Sequence, residues 1–472
     1  MTETNKKFYV MVGLGKTGLA CVQFLLRQGF NVAVTDSRDQ PPGLDMLQQQ
    51  FPDVEVVTGG FSAELLNRAD EIILSQGVPA TDPQVVAQRD RGVSIISDIE
   101  LFARFVDAPV VAITGSNGKT TVTTLLGEMV ANADLRVKVG GNIGVVAVDL
   151  LTETKPDCYV LEVSNFQLEL TDTLRPKVAV FLNYSPDHLD RYASAEDYLK
   201  AKQRVYHGCE IAVINRDDPV CWRGVVSTGK TISFGLSQPD VDQFGLLSQA
   251  NQNYLALGQQ PLLAVSELKV KGKHQQANAL AALALGQALG LPLASMLTTL
   301  KNFAGLQHRS QWLAKVNGVD WYNDSKGTNV GATVAAIEGL GSEIQGKIVL
   351  LAGGLGKNAD FSPLEQPVKN YTRQVILFGK DAAKIAAVVQ EVTEITLVEN
   401  LVEAVAIAKK VAQPGDVVLL SPACASFDMF ANFEHRGQVF SELVNQLFTI
   451  TPRQVAGTDR RWGFSRGAKS SP

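Results

Sequence analysis

The residues most able to do chemistry in this sequence lie in the loop 114–121, TGSNGKTT, between an apolar segment and a helical one. Backbone N–H groups of a glycine-rich loop at the start of a helix bind phosphate oxygens. Lys119 would reach the outer phosphates of a nucleotide, and the Thr120 hydroxyl would face Mg²⁺. The strict phosphate-loop pattern requires glycine at position 113, where this chain has isoleucine, so the loop is a shortened variant. It predicts nucleotide binding, against the alternative of a chance lysine in a loop.

A second glycine turn lies near the start of the chain and has the spacing Gly13-x-Gly15-x-x-Gly18. It follows an apolar segment, and Asp36 ends the next one, where dinucleotide-binding folds place a ribose-binding acid. The glycines by themselves only let the backbone approach a phosphate closely. The pattern leaves three interpretations open, which are NAD, another nucleoside diphosphate and a structural turn without a ligand.

Charged groups that suit a metal site follow other apolar segments. Glu162 ends one such segment, and residues 183–191, NYSPDHLDR, follow the next. Mg²⁺ takes oxygen ligands and keeps several waters, so one or two carboxylates suffice for it. Glu162 could instead be an acid at the edge of the core, and residues 183–191 could be a solvated turn. Lys202, in the segment YLKAKQRVY, is interpreted from the residues alone as an exposed lysine on a helix.

Two further stretches combine polar groups with lysine. Residues 321–329, WYNDSKGTN, are predicted to form a loop, and residues 353–357, GGLGK, follow an apolar segment. Both stretches suit the binding of an anion, and either one could equally be a turn.

Three successive runs of apolar and helical segments must position these loops. Such alternation predicts parallel α/β sheets, whose ligands gather at the carboxyl ends of the strands. We predict an α/β fold of three domains: a Rossmann-like domain over 1–97, a P-loop-type central ATPase domain with a parallel sheet over 98–305, and a Rossmann-like domain over 306–457. The first boundary is placed at a turn at Asp98. Residues 458–472 are rich in glycine and serine, and we expect a disordered tail there.

The length and composition are those of a globular protein of several domains. The chain has 472 residues, of which 45% are hydrophobic and 19% charged, and its net charge is −5. These values exclude a mainly disordered or coiled-coil chain and disfavour general binding to nucleic acid or to anionic membranes. The five cysteines include no Cys-x-x-Cys pair, which disfavours a disulfide framework and a cysteine-rich zinc site. The longest uncharged stretch, 275–300, is predicted to be a core helix and a turn, so we expect a cytoplasmic protein without membrane insertion.

Taken together, ten motifs occur in the order found in the Mur ligases, and the chain resembles that family from about residue 8 to residue 450. The motifs are TGSNGKTT, GGNIG, LEVSNFQLE, DHLDRY, AKQR, NALAAL, HR, NDSKGTN, GGLGKNADFSPL and SPACASFDMFANFEHRG. Folylpolyglutamate synthase is the alternative within the superfamily. However, GLGKTGLA, TDSRDQPP and SPACASFDMF resemble the Mur ligases that add D-glutamate.

The resemblance implies an activity and its substrates. ATP phosphorylates the carboxylate of UDP-N-acetylmuramoyl-L-alanine, and the amine of D-glutamate then attacks the acyl phosphate to give an amide, ADP and phosphate. The implied cofactors are two Mg²⁺ ions and a carbamylated Lys202. All the substrates are small molecules, and we expect a monomer that binds no nucleic acid.

The resemblance also implies roles residue by residue. Catalysis is assigned to Lys119, His188 and Lys202, and metal binding to Thr120, Glu162, His188 and Lys202. The implied ATP contacts are Gly115, Ser116, Asn117, Gly118, Lys119, Thr120, Thr121, Asn278, Arg309 and Asp324. The implied UDP-sugar contacts are Gly15, Lys16, Thr17, Asp36, Ser37, Arg38, Ser75, Asn142 and His188. The implied D-glutamate contacts are Lys326, Thr328, Lys357, Ser426, Phe427 and Phe433.

Three residues depart from the pattern of the family. Lys16 replaces an apolar residue beside the diphosphate, Gln275 stands where the family often has asparagine, and Asn165 replaces serine. An additional cation near a diphosphate is not costly. The resemblance assigns the first glycine turn to uridine diphosphate rather than to NAD.

Overall fold

A computed structural model describes residues 7–187, 191–192, 194–226 and 229–449, and it contains three β-sheets that follow one another along the chain. Each sheet is mainly parallel and packs against helices, so the predicted α/β fold is confirmed. Within these ranges, no helix has the length and apolar character needed to span a bilayer. The predicted tail at 458–472 lies outside the described residues.

The first sheet is parallel throughout and has the order β3-β2-β1-β4-β5. Its strands are β1 (Phe8–Val12), β2 (Asn31–Thr35), β3 (Glu55–Val57), β4 (Glu71–Leu74) and β5 (Ser94–Ile96), and its helices are α1 (Lys16–Arg27), α2 (Leu44–Gln50), α3 (Ala63–Arg68) and α4 (Pro83–Asp90). The strand order reverses between β1 and β4. A crevice for ligands therefore opens at the carboxyl ends of these two strands.

The second sheet has nine strands in the order β14-β13-β12-β11-β10-β9-β6-β8-β7. The strands are β6 (Val110–Thr114), β7 (Val137–Gly141), β8 (Cys158–Glu162), β9 (Val178–Phe181), β10 (Ile211–Asn215), β11 (Thr231–Phe234), β12 (Phe244–Gln249), β13 (Gln252–Leu257) and β14 (Gln260–Ala264). The helices are α5 (Asp98–Ala103), α6 (Lys119–Ala131), α7 (Asn165–Glu169), α8 (Ala195–Gln203), α9 (Lys273–Leu289) and α10 (Leu293–Asn302). Because β6 lies between β8 and β9, the loops that follow these three strands meet at one edge.

The third sheet has the order β15-β16-β20-β17-β18-β19, and only the pair β15–β16 is antiparallel. Its strands are β15 (Gln311–Val316), β16 (Val319–Asn323), β17 (Ile348–Gly353), β18 (Thr372–Phe378), β19 (Glu394–Leu397) and β20 (Val417–Leu420). Its helices are α11 (Val330–Gly341), α12 (Glu365–Tyr371), α13 (Ala382–Val389), α14 (Leu401–Val411) and α15 (Phe433–Thr449).

Two local predictions are wrong. Asp98 is not in a turn but begins α5, because the Ser97 hydroxyl accepts a hydrogen bond from Glu100 N and caps the helix. The stretch predicted as a loop at 321–329 begins inside β16, where Trp321 is buried against the core. By contrast, the predicted core helix and the turn after it are confirmed by α9 and Gly290, and a second helix that was not predicted, α10, follows the turn.

An ion-pair network joins the first two sheets. Glu71, at the start of β4, is buried and receives hydrogen bonds from Arg104 Nη1 at 2.6 Å and Nη2 at 3.1 Å. Burial opposes its ionisation, but hydrogen bonds from Arg104, Lys7 and a serine hydroxyl outweigh burial and lower the pKa of Glu71 to about 2. Arg104 Nε also donates to Glu100, whose carboxylate accepts hydrogen bonds from the backbone N–H groups of residues 172 and 173.

We expect Arg104→Ala to lower the free energy of unfolding by about 3 kcal/mol, since it leaves a buried carboxylate with a weaker partner set. Chemical denaturation followed by tryptophan fluorescence measures the change. Arg136→Ala is the matched control, because its ion pair with Asp157 is exposed and should contribute less than about 1 kcal/mol. Equal effects of the two substitutions would contradict the prediction.

Candidate active site

The sequence 114–121 forms the predicted phosphate-type loop between β6 and α6. Gly118 precedes α6 with a φ of +81°, a left-handed conformation that favours glycine, and a Cβ atom there would lie 2.4 Å from Asn278 Oδ1 of α9. On the other side, Asn183 Oδ1 accepts a hydrogen bond from Asn117 N at 2.9 Å, and Asn183 Nδ2 donates one to Asn117 O at 3.1 Å. The loop is therefore held in place from two sides at the start of a helix, where anions bind favourably.

Two lysine side chains converge on one carbonyl of this loop. Lys119 Nζ lies 2.6 Å from Gly115 O, and Lys202 Nζ on α8 lies 3.0 Å from the same oxygen. Lys202 is only 1% exposed, so its interpretation as an exposed helix lysine is wrong. Burial and the charge of Lys119 lower the pKa of Lys202 well below its usual range, and burial lowers the pKa of Lys119. Two neighbouring amines in a buried setting favour the binding or formation of an anion here.

Oxygen atoms that suit a hard metal ion face the same loop. Glu162 ends β8 and is buried, and its two oxygens accept hydrogen bonds from Thr120 Oγ1 at 2.7 Å and from Asn142 Nδ2 at 2.8 Å. Arg309 Nη2 donates to Thr120 Oγ1 at 2.5 Å. Among the described residues, no group of three His, Cys, Asp or Glu side chains lies close enough together to bind a metal ion, so a magnesium site here would depend on fewer protein ligands. His188, a further predicted ligand, lies outside the described residues.

The loop after β16 brings residues of the third sheet to the phosphate loop. Asp324 accepts hydrogen bonds from Ser310 N at 3.0 Å and from Ser421 Oγ at 2.7 Å, and burial raises the pKa of Asp324 to about 6. Lys326 Nζ lies 3.9 Å from the centre of the Phe433 ring. Burial and two neighbouring cations lower the pKa of Lys326 to about 8. This loop thus presents one acid and one amine to the site.

The remaining predicted site residues of the third sheet's domain face the second sheet's domain. Lys357 Nζ lies 3.3 Å from Asp187 Oδ1, and the two side chains are 18% and 13% exposed. Ser426 is buried, whereas Phe427 is 70% exposed. Together with Thr328, these residues line one cavity.

Two cavities open around the phosphate loop. The first, of about 470 Å³, includes the predicted site residues Asn117, Gly118, Thr121, Asn278, Arg309, Asp324 and Lys326. The second, of about 510 Å³, includes Ser116, Asn117, Gly118, Lys119, Thr120, Asn142, Glu162, Arg309, Lys326, Thr328, Lys357, Ser426, Phe427 and Phe433. Gln76, after β4, also lines the second cavity, so segments that follow strands of all three sheets contribute to it. Gly115 and Lys202 line neither cavity.

The other predicted UDP-sugar residues lie after strands of the first sheet and line neither cavity: Gly15, Lys16, Thr17, Asp36, Ser37, Arg38 and Ser75. Asp36 accepts hydrogen bonds from Leu14 N at 2.6 Å and from Arg38 Nη2 at 2.6 Å. Burial opposes the ionisation of Asp36, but its hydrogen bonds outweigh burial and lower its pKa. Asp36 therefore fixes the glycine turn and orients the half-exposed Arg38. Lys16 Nζ donates to Gly144 O at 2.6 Å, across to the second sheet.

Comparison with known proteins decides the family. Family models match the chain over residues 7–97 (Mur ligase MurD-like, N-terminal domain), 113–286 (Mur ligase middle domain) and 308–424 (Mur ligase, glutamate ligase domain). A protein of Nitrosococcus oceani named UDP-N-acetylmuramoylalanine–D-glutamate ligase is 51% identical over 440 residues, which cover 93% of this chain and 97% of the relative. A Pseudomonas fluorescens protein of the same name is 51% identical over 441 residues, 93% of this chain and 98% of the relative. The chain belongs to the Mur ligase family.

The chain shares its fold with Mur ligases of solved structure. The MurF ligase of Thermotoga maritima in complex with ADP has a TM-score of 0.60 at 16% identity, and the match covers 94% of this chain and 100% of that one. UDP-N-acetylmuramate-alanine ligase MurC of Thermotoga maritima has a TM-score of 0.58 at 19% identity, with 93% and 99% covered. These likenesses confirm the predicted three-domain α/β architecture, and the relatives confirm the predicted family.

Sequence reasoning did not assign three residues that organise this Mur ligase site, namely Asn183, Asn329 and Arg436. Arg436 is fully buried and donates hydrogen bonds to Ser325 O at 2.8 Å and to Cys424 O at 3.2 Å, which ties the loop after β16 to the loop after β20. Asn183 lies in the stretch 183–191 that the sequence pattern placed at the end of a strand, but no role was given to it. Arg436 gave no such signal, because a helix arginine is usually exposed.

Proposed function

We propose that this Mur ligase joins D-glutamate to UDP-N-acetylmuramoyl-L-alanine, with conversion of ATP to ADP and phosphate, in the synthesis of peptidoglycan precursors. The observation that carries the proposal is the second cavity, where Lys119, Glu162 and Lys357 meet from two sheets. Relatives that are half identical over nearly the whole chain bear the name of this activity. The cavity is large enough for the reacting ends of the three substrates but not for the complete molecules. Their outer parts would extend into the first cavity and into the crevice at the ends of β1 and β4.

The cations of the cavity fit the electrostatic problem of the reaction. A substrate carboxylate must approach the anionic γ-phosphate, and two like charges at about 4 Å repel by roughly 4 kcal/mol at an effective dielectric constant near 20. Lys119, Arg309 and Lys326 all line the cavity and can offset this repulsion. They also hold the substrate carboxylate in line with the γ-phosphate, so that the two anions react from a fixed orientation rather than after a random encounter.

The chemistry proceeds in two steps. An oxygen of the substrate carboxylate bonds to the γ-phosphorus while the bond from that phosphorus to the β–γ bridging oxygen breaks, which gives an acyl phosphate and ADP. The neutral amine of D-glutamate, after loss of a proton from its ammonium form, then attacks the acyl carbon. The tetrahedral intermediate loses a proton from this nitrogen to phosphate or water and expels phosphate, which leaves the amide. We propose that Lys119 and Arg309 stabilise the transferred phosphoryl group in both steps.

The site also fits Mg²⁺. Thr120 Oγ1 and Glu162 Oε2 are hard oxygen donors 2.7 Å apart beside the phosphate loop, and magnesium needs few protein ligands when it also binds phosphates and water. We propose Thr120 for one ion, and Glu162 with His188 and a modified Lys202 for a second. When bound, these ions would neutralise the developing charge on the phosphate oxygens.

An unmodified Lys202 cannot ligate a cation as an ammonium group, and carbamylation removes this difficulty. Its neutral amine would add to the carbon of CO₂ and lose one proton, which yields a carbamate anion. Burial and the neighbouring Lys119 favour the neutral amine that this addition needs. ¹³C NMR of the protein in ¹³C-bicarbonate would report a carbamate resonance that Lys202→Ala lacks.

The outer parts of the substrates are assigned to the flanking domains. We propose that the glycine turn at 13–18, with Arg38 and Lys16, binds the uridine diphosphate rather than NAD. We propose that Lys357, Thr328 and Ser426 bind the carboxylates of D-glutamate. We also propose that the enzyme acts as a monomer and that it works in the cytoplasm, where ATP is available.

A substrate panel tests the function. Phosphate release from ATP and UDP-N-acetylmuramoyl-L-alanine is expected with D-glutamate and not with L-glutamate, D-aspartate or no amino acid. A folate substrate with L-glutamate is the control for the other ligase class of the superfamily. Turnover without dependence on D-glutamate, or faster turnover with the folate, would refute the proposal.

A further inference from the structure

The first turn of α11, in the third sheet's domain, lies against the phosphate loop of the second sheet's domain. Asn329 precedes this helix and caps it, because its Oδ1 accepts a hydrogen bond from Ala332 N at 2.9 Å. The same side chain is only 8% exposed and forms a reciprocal amide pair with Asn117. Asn329 Nδ2 lies 3.2 Å from Asn117 Oδ1, and Asn117 Nδ2 lies 3.4 Å from Asn329 Oδ1. Helix capping uses only the side-chain oxygen of Asn329, so its buried amide nitrogen is available to donate hydrogen bonds to other groups.

That nitrogen also reaches the amino-acid side of the cavity. Asn329 Nδ2 lies 3.4 Å from Asp187 Oδ2, and Asp187 Oδ1 lies 3.3 Å from Lys357 Nζ. A continuous chain of polar contacts thus runs from the phosphate loop through Asn329 and Asp187 to Lys357. Asn117 and Lys357 are 240 residues apart in sequence and belong to different domains. Nevertheless, the Asn329 side chain bridges Asn117 and Asp187, and Asp187 contacts Lys357.

The packing around Asn329 is close enough to fix this arrangement. Gly331, two residues further along, has so little space that a Cβ atom there would lie 2.3 Å from Ser185 Oγ and 2.9 Å from Ser185 Cβ. Ser185 N in turn donates to Ser116 Oγ of the phosphate loop at 2.9 Å. The start of α11 therefore docks directly on the segment that supports the phosphate loop, and glycine permits the approach.

From these contacts we infer that Asn329 is a positioning residue that fixes the position of Lys357 relative to the phosphate loop. The amino acid bound by Lys357 is thereby held next to the phosphorylated substrate. This inference rests on the proposed function, since it assigns Lys357 to D-glutamate. Asn329 contacts Asn117 of the phosphate loop and Asp187, the partner of Lys357, so it acts on the substrates through these residues. Its loss should therefore weaken the use of D-glutamate while the binding of the UDP-sugar substrate, on the first domain, stays unchanged.

Asn329→Ser provides the test, because serine keeps the helix cap but is too short to reach Asn117 and Asp187. We expect the KM for D-glutamate to rise about fivefold to tenfold, which is the effect of one net hydrogen bond, with the KM for UDP-N-acetylmuramoyl-L-alanine unchanged. Asn400→Ser is the matched control. Asn400 caps α14 through the same kind of bond, to Glu403 N at 3.0 Å, and makes its other hydrogen bond to that same glutamate.

A second variant separates docking from capping. Gly331→Ala improves the helix propensity of α11 but obstructs its approach to Ser185, so it should raise the KM for D-glutamate without lowering the melting temperature. A KM for D-glutamate within about twofold of wild type in Asn329→Ser would overturn the inference, and so would an equal rise in Asn400→Ser.

A readout without turnover keeps this test apart from that of the proposed function. With a non-hydrolysable ATP analogue, small-angle scattering should give a larger radius of gyration for Asn329→Ser than for wild type. Identical radii would overturn the inference. A wild-type chain that makes no product from D-glutamate would instead overturn the proposed function and leave the scattering comparison intact.

Discussion

Replacing Lys202 by alanine is expected to lower the turnover of the ligase by about a thousandfold, as the loss of a charged group that organises a transition state does. Lys202 is 1% exposed and shares the Gly115 carbonyl with Lys119. As a carbamate it would supply the negative charge that complements Lys119 and the metal. Alanine would leave that side of the site positive and the metal with fewer ligands. Steady-state release of phosphate with all three substrates measures the loss.

Lys200→Ala is the matched control for this substitution. Lys200 lies on the same helix, is 64% exposed and forms an ion pair with Glu196, so its removal should leave turnover within about twofold of wild type. Added bicarbonate should not restore Lys202→Ala, whereas a short carboxylic acid such as propionate should restore part of the activity. Full activity of Lys202→Ala would refute the carbamate assignment.

The features that sequence reasoning predicted correctly are encoded over short stretches. The strand, loop and helix around Lys119 need only a β-branched apolar run, two glycines and a helical segment, and all lie within about 25 residues. The same applies to the glycine turn between β1 and α1. Because strands of a parallel sheet end at a common edge, the proximity of Glu162 to the phosphate loop also follows from local patterns alone.

The features that were missed depend on packing between distant segments. The contact of Asn329 with Asn117 joins residues 212 positions apart, and no local pattern indicates which face of α11 docks on the phosphate loop. The burial of Lys202 is of the same kind, since a lysine on a short polar helix is normally exposed. Residues Trp321–Asn323 are an exception, because β16 pairs with β15 directly before it as well as with β20 nearly 100 residues later, and the polar residues that follow hid the strand.

The hydrogen bonds of Asp36 bear on the role that its position predicts. Its place at the end of β2 favoured an acid that binds a ribose. In the structure, hydrogen bonds from Leu14 N and from Arg38 occupy its oxygens, so the exposed cation beside it is the group available to a ligand. This arrangement suits an anionic ligand better than a neutral ribose hydroxyl. It agrees with the assignment of the first crevice to uridine diphosphate.

Replacing Lys119 by methionine is expected to reduce turnover by about a thousandfold or more while the fold is retained. Its amine donates to Gly115 O at 2.6 Å and to Ser116 O at 3.1 Å, at the start of α6, and rotation of the side chain would bring it to the phosphates of a bound nucleotide. Methionine preserves the length and apolar stem but removes the charge. Phosphate release under saturating substrates measures the loss, and the melting temperature should change by less than about 2 °C.

Lys138→Met is the control for this substitution, since Lys138 is a lysine of the same sheet whose Nζ donates to Leu150 O at 2.8 Å and to a threonine hydroxyl. It should keep the turnover of the wild type. Affinity for ADP separates two causes of the Lys119 effect. Because backbone N–H groups of the loop bind most of the nucleotide phosphates, ADP should bind Lys119→Met only about tenfold more weakly, so the larger loss must arise in the transition state. A fully active Lys119→Met would mean that Lys119 does not stabilise the transferred phosphoryl group, and its proposed role would be refuted.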